Sequence, residues 1–104
     1  MEILYHVTPA TNAPSILKNG LLPKNGKNSQ ACCERGNAIY FFPSREYMND
    51  ALGGWLGDLY DEEELVCIMV KVPTNIVHKS DVDYERKIYQ RVSPKNFIGE
   101  LEVV

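Results

Sequence analysis

Four side chains stand out for what they could do together: the imidazole of His6, the hydroxyl of Thr8, the phenol of Tyr40 and the carboxylate of Glu85. His6 and Thr8 share one face of an early strand with Leu4, opposite Tyr5 and Val7, so a polar pair interrupts one side of the strand. Taken singly, His6 fits a satisfied structural histidine, Tyr40 a core or interface tyrosine, and Glu85 a solvated edge-strand charge. Their order along the chain, on an early, a middle and a late strand, gives the set its weight.

Other chemistries lack their sequence signatures. There is no P-loop, GxGxxG, HExxH or GxSxG. A cysteine nucleophile would need a base, and the spacing of His6 and His78 to Cys32, Cys33 and Cys67 defines no dyad. The cysteines form neither a CxxC nor a zinc-spaced cluster and read as reduced thiols without catalytic or metal duty. The acidic run Asp61 to Glu64 lacks the oxygen-ligand spacing of a cation loop and reads as a solvated turn. No metal is expected.

The elements that must position the four residues follow from periodicity and punctuation. After the first strand, Pro9 to Asn12 is turn-rich. Ala13 to Asn19 predicts a short helix, with Thr11 or Asn12 as cap, Pro14 in the first turn and Gly20 just past the end. Lys24 to Asn37 predicts a long polar loop of the kind kept for binding or gating. Ala38 to Phe42 predicts a strand ended by Pro43, with Tyr40 on the face of Ala38 and Phe42. Ser44 caps a helix that carries Tyr47, Met48, Ala51, Leu52 and Trp55 at helical spacing and frays at Gly53-Gly54 or Gly57. Leu65 to Val72 is almost continuously apolar and predicts a central strand buried on both faces. Thr74 to Asp83 reads as a connection, Tyr84 to Val92 as an alternating strand with Glu85 and Lys87 on one face, and Phe97 to Val104 as the last strand.

With 104 residues, 44% apolar and 24% charged, the chain predicts one soluble domain, and nothing in it reads as a signal peptide or membrane span. A cytoplasmic location is expected. The net charge of -3 is uneven: residues 1 to 52 carry five Lys/Arg against four Asp/Glu, residues 53 to 104 six against ten. No basic block supports a broad grip on nucleic acid.

Leu4-Tyr5-His6-Val7-Thr8 resembles the first-strand His-x-Thr motif of the His-Tyr-Glu ADP-ribosyltransferases, the superfamily of the poly(ADP-ribose) polymerases and diphtheria toxin. Ile39-Tyr40-Phe41-Phe42 resembles that superfamily's tyrosine strand. Glu85, seven residues before Val92-Ser93-Pro94-Lys95-Asn96-Phe97, resembles its catalytic glutamate preceding an Ile-Pro-Pro-x-x-Ile turn. Tyr5 to Asn12, Ser15-Ile16-Leu17 and Gly20-Leu21-Leu22 are also similar to the start of DarT-type DNA ADP-ribosyltransferase toxins and, more loosely, to RNA 2'-phosphotransferases. Val7 stands where polymerases often have glycine, and Ser93 replaces the first proline of the late turn. A shift of two residues would bring Asp83, on the face of Glu85, or Gln90 to the catalytic position instead.

The resemblance implies an α+β fold, a split and mostly antiparallel sheet with flanking helices, and NAD as substrate. By the same carry-over, His6 hydrogen-bonds the adenosine ribose, Thr8 supports the nicotinamide pocket beside Asn12, Tyr40 stacks on nicotinamide and Glu85 holds the nicotinamide ribose. The chemistry is consistent. Loss of nicotinamide leaves an oxocarbenium-like sugar that a carboxylate stabilises, and a phenol face is a favourable neighbour for a pyridinium. Arg35 and Arg45 are candidates for the pyrophosphate, Arg35 matching the arginine of a DarT-like enzyme. The implied activity is mono-ADP-ribosylation of a protein or nucleic acid, as a toxin or an agent of phage-host conflict. A degenerate NAD, ADP-ribose or partner-binding module comes second, and an RNA 2'-phosphotransferase third. Pro23 to Gly36 and Trp55 to Glu64 are the segments expected to choose the acceptor.

Overall fold

The apolar run at residues 65 to 72 organises the sheet. In the computed structural model, which describes residues 1–23 and 38–104, β3 (Leu65–Val72) lies between β1 (Glu2–Pro9) and β6 (Phe97–Val103). Its register opposite β1 pairs Leu4 with Val70, His6 with Ile68 and Thr8 with Val66. A second sheet holds β2 (Ile39–Phe41), β5 (Arg86–Ile88) and β4 (His78–Lys79), in the order β2-β5-β4. Every strand pair is antiparallel, and with the helices below this makes a small α+β domain.

The two sheets meet where Tyr5 and Phe42 exchange backbone hydrogen bonds of 3.0 and 2.8 Å. Each face of the central sheet has its own core. Leu4, Ile68, Val70 and Val72 pack with Ile39, Phe41 and Ile88, while Cys67 packs with Phe42, Met48, Ala51 and Leu56, flanked by Tyr5, Val7 and Met69. β3 is apolar without alternation because both of its faces are covered. Burial also pushes the Cys67 thiol up to about 11, which keeps it protonated at neutral pH.

α1 (Ala13–Asn19) ends at Gly20 with φ 84°. The glycine is required there: a Cβ would overlap the Val92 carbonyl, and the next residue, Leu21, exchanges two 2.9 Å backbone bonds with Val92. The start of α1 differs from expectation. A 3-10 turn over Ala10–Asn12 leads in, Asn12 is itself helical, and no side chain caps the helix.

α2 (Arg45–Leu52) begins as predicted, with Ser44 Oγ accepting from the Tyr47 amide at 3.2 Å. It stops before Gly53-Gly54, after which α3 (Trp55–Leu59) starts as a separate turn of helix. Trp55 therefore does not share the buried face of Met48 and Ala51. The late strand is shorter than its alternation predicts, since Glu85 closes a turn by donating its amide to the Val82 carbonyl and Val92 pairs with Leu21. The polar connection before it holds β4, which alternation over two residues cannot reveal. Among the described residues, no helix is long and apolar enough to cross a membrane.

Candidate functional site

A cleft of about 530 Å³ opens beside the junction of the two sheets. Its β wall comes from the strands. β1 and β2 separate beyond the Tyr5-Phe42 bridge, and the gap between them receives the ring of His6. Nδ1 of His6 lies 2.8 Å from the Tyr40 carbonyl oxygen, and because a carbonyl only accepts, Nδ1 carries the proton. The ring also leans on Phe41, with centroids 5.5 Å apart. That hydrogen bond ties β1 to β2 at the point where regular pairing stops and fixes both ring orientation and tautomer.

Thr8 follows on the same face of β1, buried, with its Oγ1 accepting a 3.1 Å hydrogen bond from Asn12 Nδ2. This explains the missing helix cap: the Asn12 side chain turns back to the strand rather than forward to the α1 amides. Tyr40 projects from β2 opposite Lys87 of β5, whose Nζ sits 5.8 Å from the phenol centroid. Glu85 reaches the same cleft from the turn just before β5. His6, Thr8, Asn12, Tyr40 and Glu85 thus line one cavity although up to 79 positions separate them in the chain (85 - 6).

Two of the nominated groups stand apart. Arg45 does not line the cleft. It lies across the other face of the central sheet, where its guanidinium makes bidentate hydrogen bonds of 2.8 and 2.7 Å to Glu102, donates to Met69 Sδ and covers the Tyr5 ring at 5.3 Å. The Arg45 hydrogen bond holds the Glu102 carboxyl below the usual carboxylate range, against a smaller opposing effect of desolvation. Arg35 lies outside the described residues, as do Cys32 and Cys33. Of the alternatives to Glu85, neither Asp83 nor Gln90 lines the cleft.

Helical residues complete the lining, with Ser15 and Ile16 of α1 among them. Trp55 and Leu56 of α3, Tyr60 at its end and Glu63 in the following turn close the cavity. Trp55 packs at a tilt against Phe42, with centroids 6.4 Å apart and planes at 45°, and against Tyr84, the neighbour of Glu85, at 6.3 Å and 44°. Burial, and secondarily Glu63, raises the Tyr60 hydroxyl above its ordinary pKa. The sequence marked this segment for acceptor choice but set Trp55 at the spacing of the preceding helix. The Gly53-Gly54 pair, one of the two fraying points it marks, is the signal that Trp55 belongs elsewhere.

Among the described residues lining the cleft, the carboxylates are Glu63 and Glu85, and no Lys or Arg joins them. The cavity lies within the range of about 300 to 1,000 Å³ usual for small-molecule sites, and its lining mixes apolar surface with a few convergent polar groups. No protein-family model, curated protein or solved structure matches the chain.

Proposed function

We propose that the protein is a mono-ADP-ribosyltransferase that cleaves NAD and passes ADP-ribose to a macromolecule. One observation carries the reading: His6, Thr8, Tyr40 and Glu85, the residues nominated by their order in the sequence, line the same cleft. In this reading Glu85 lies beside the nicotinamide ribose, where its charge opposes the positive charge that grows as the glycosidic bond lengthens. His6, oriented by the Tyr40 carbonyl, hydrogen-bonds the adenosine ribose, and Thr8, steadied by Asn12, supports the nicotinamide pocket.

Tyr40 offers its ring to the pyridinium. Because Lys87 already sits over that phenol, the pyridinium has to take the opposite side or displace the ammonium. Arg45, engaged with Glu102 away from the cleft, is not the pyrophosphate partner in this reading; the other nominated arginine, Arg35, lies outside the described residues. The proposed setting is the cytoplasm, with a role in phage-host conflict.

A second reading, a binding module of the same shape without turnover, draws on the absence of basic side chains from the described lining. Nicotinamide release from NAD, followed with wild type and Glu85→Gln, separates the two. The transferase reading expects release that falls about a hundredfold or more in the variant, since a single transition-state electrostatic contact is usually worth ~2.7 kcal/mol or more. Tight binding of NAD or ADP-ribose with no release from wild type would replace it by the binding module.

A further inference from the structure

We infer that the Trp55-Tyr84 edge of the cleft receives a cationic side chain, so that the acceptor is a basic polypeptide segment; this rests on the transferase reading above. Trp55 and Tyr84 are 43% and 37% exposed although they touch each other, and they come from separate parts of the chain. Phe42 backs the indole from inside. Trp55 lines the cleft, and Tyr84, outside the lining, leans on it one residue before Glu85, which lines the cleft too, so an acceptor bound on the pair is adjacent to the proposed site of bond cleavage.

Aromatic faces alone would suit a nucleobase as well as a cation, because both stack on π surfaces. The surrounding charge decides between them. Glu63 and Glu85 line the cleft, and Asp58, Asp61, Glu62 and Glu64 are exposed on the same short helix and turn as Trp55. Arg86 donates to the Asp83 and Glu85 carbonyls on either side of Tyr84. Asp58 and the four residues Asp61 to Glu64, however, put five carboxylates on the Trp55 side, where a phosphate backbone meets like charge while a guanidinium or ammonium gains from the carboxylates and the indole together.

The transfer balances without an added reagent. The bond between C1′ of the ribose and the nicotinamide nitrogen breaks, and its electron pair leaves with nicotinamide. The acceptor nitrogen forms the new bond to C1′ and releases one proton to solvent, and nothing is oxidised or reduced.

The test uses the wild-type protein, NAD labelled in its adenine, and separate arginine-rich, lysine-rich and glutamate-rich peptides and single-stranded DNA and RNA oligomers. Label should enter the basic peptides, less so as salt is raised, and the two basic arms show whether guanidinium or ammonium is taken. Trp55→Ala should lower the ratio of peptide labelling to nicotinamide release about fivefold, the value of one partly exposed cation-π contact, with Trp55→Phe recovering most of it. Glu63→Gln should lower the same ratio and weaken its salt dependence, which covers a Trp55 variant that folds poorly. Label on the oligonucleotides or the acidic peptide, or an unmoved ratio in both variants, overturns the inference while leaving NAD cleavage standing. Absence of nicotinamide release under every condition removes both.

Discussion

Two parts of the cleft lining, the strands and the α3 segment, are built differently. On the β wall, residues that face the cavity alternate or adjoin with residues that make the core: His6 and Thr8 follow Leu4, Tyr40 sits between Ile39 and Phe41, and Glu85 is three positions from Ile88. Cavity shape and domain stability therefore rest on the same backbone. The α3 segment is a five-residue helix with one buried side chain, Leu56, and its large aromatic residue turned outward. Under the proposed function, chemistry that depends on placement to a fraction of an ångström falls to the strands, and selection among acceptors to the α3 segment.

The sharpest way to break this contrast is Ile88→Ala. Ile88 is fully buried between the two sheets, so its truncation should destabilise the domain by about 2 to 5 kcal/mol in a denaturant titration, and NAD turnover should fall with the folded fraction. A loss well under 1 kcal/mol would mean that the β wall is not the stiff one. A smaller effect is expected for Thr8→Val, which keeps the shape and removes the acceptor of the Asn12 hydrogen bond. About 1 kcal/mol, or roughly 4 to 8 °C in Tm for a domain of this size, should be lost, and an unchanged Tm would show that the Asn12 contact holds nothing in place.

Arg45→Ala should do least. Its ion pair with Glu102 is 44% exposed on both sides and lies away from the cleft, so nicotinamide release should match wild type and Tm should barely move. The sign of its pH dependence is fixed by Glu102, whose pKa is depressed in the folded state. Whatever stabilisation the pair gives is fully present above the ordinary carboxylate range and is lost as pH falls below that range through the lower folded value, so wild type and variant should converge in acid. Loss of NAD cleavage in Arg45→Ala would instead return this arginine to the site.

Much of the β wall was legible in the sequence because its signals are local and repeated. Continuous apolar character identified β3 as central, and Pro14 with Gly20 bracketed α1 correctly. The differences cluster where a tertiary partner overrides a local preference. Asn12 has a good capping side chain, yet Thr8 is within reach and takes it. Arg45 has the charge a pyrophosphate wants, yet Glu102, 57 residues away, takes it. The alternation from Tyr84 to Val92 is real, but Leu21 captures Val92 and a turn captures Glu85, leaving three residues of strand. The helix ends at Gly53-Gly54, the first of the two fraying points the sequence marks, so Trp55, at helical spacing on paper, falls beyond it.

The single Tyr5-Phe42 bridge has a mechanical meaning. Two sheets that share many rungs form one plate, whereas here a single rung, with the His6 ring as a strut beside it, is backed by the core in which Leu4, Ile68 and Val70 meet Ile39, Phe41 and Ile88. Interdigitated side chains rather than a continuous ladder therefore hold the two sheets together, so the width of the aperture between β1 and β2 is written in the volumes of those few core residues.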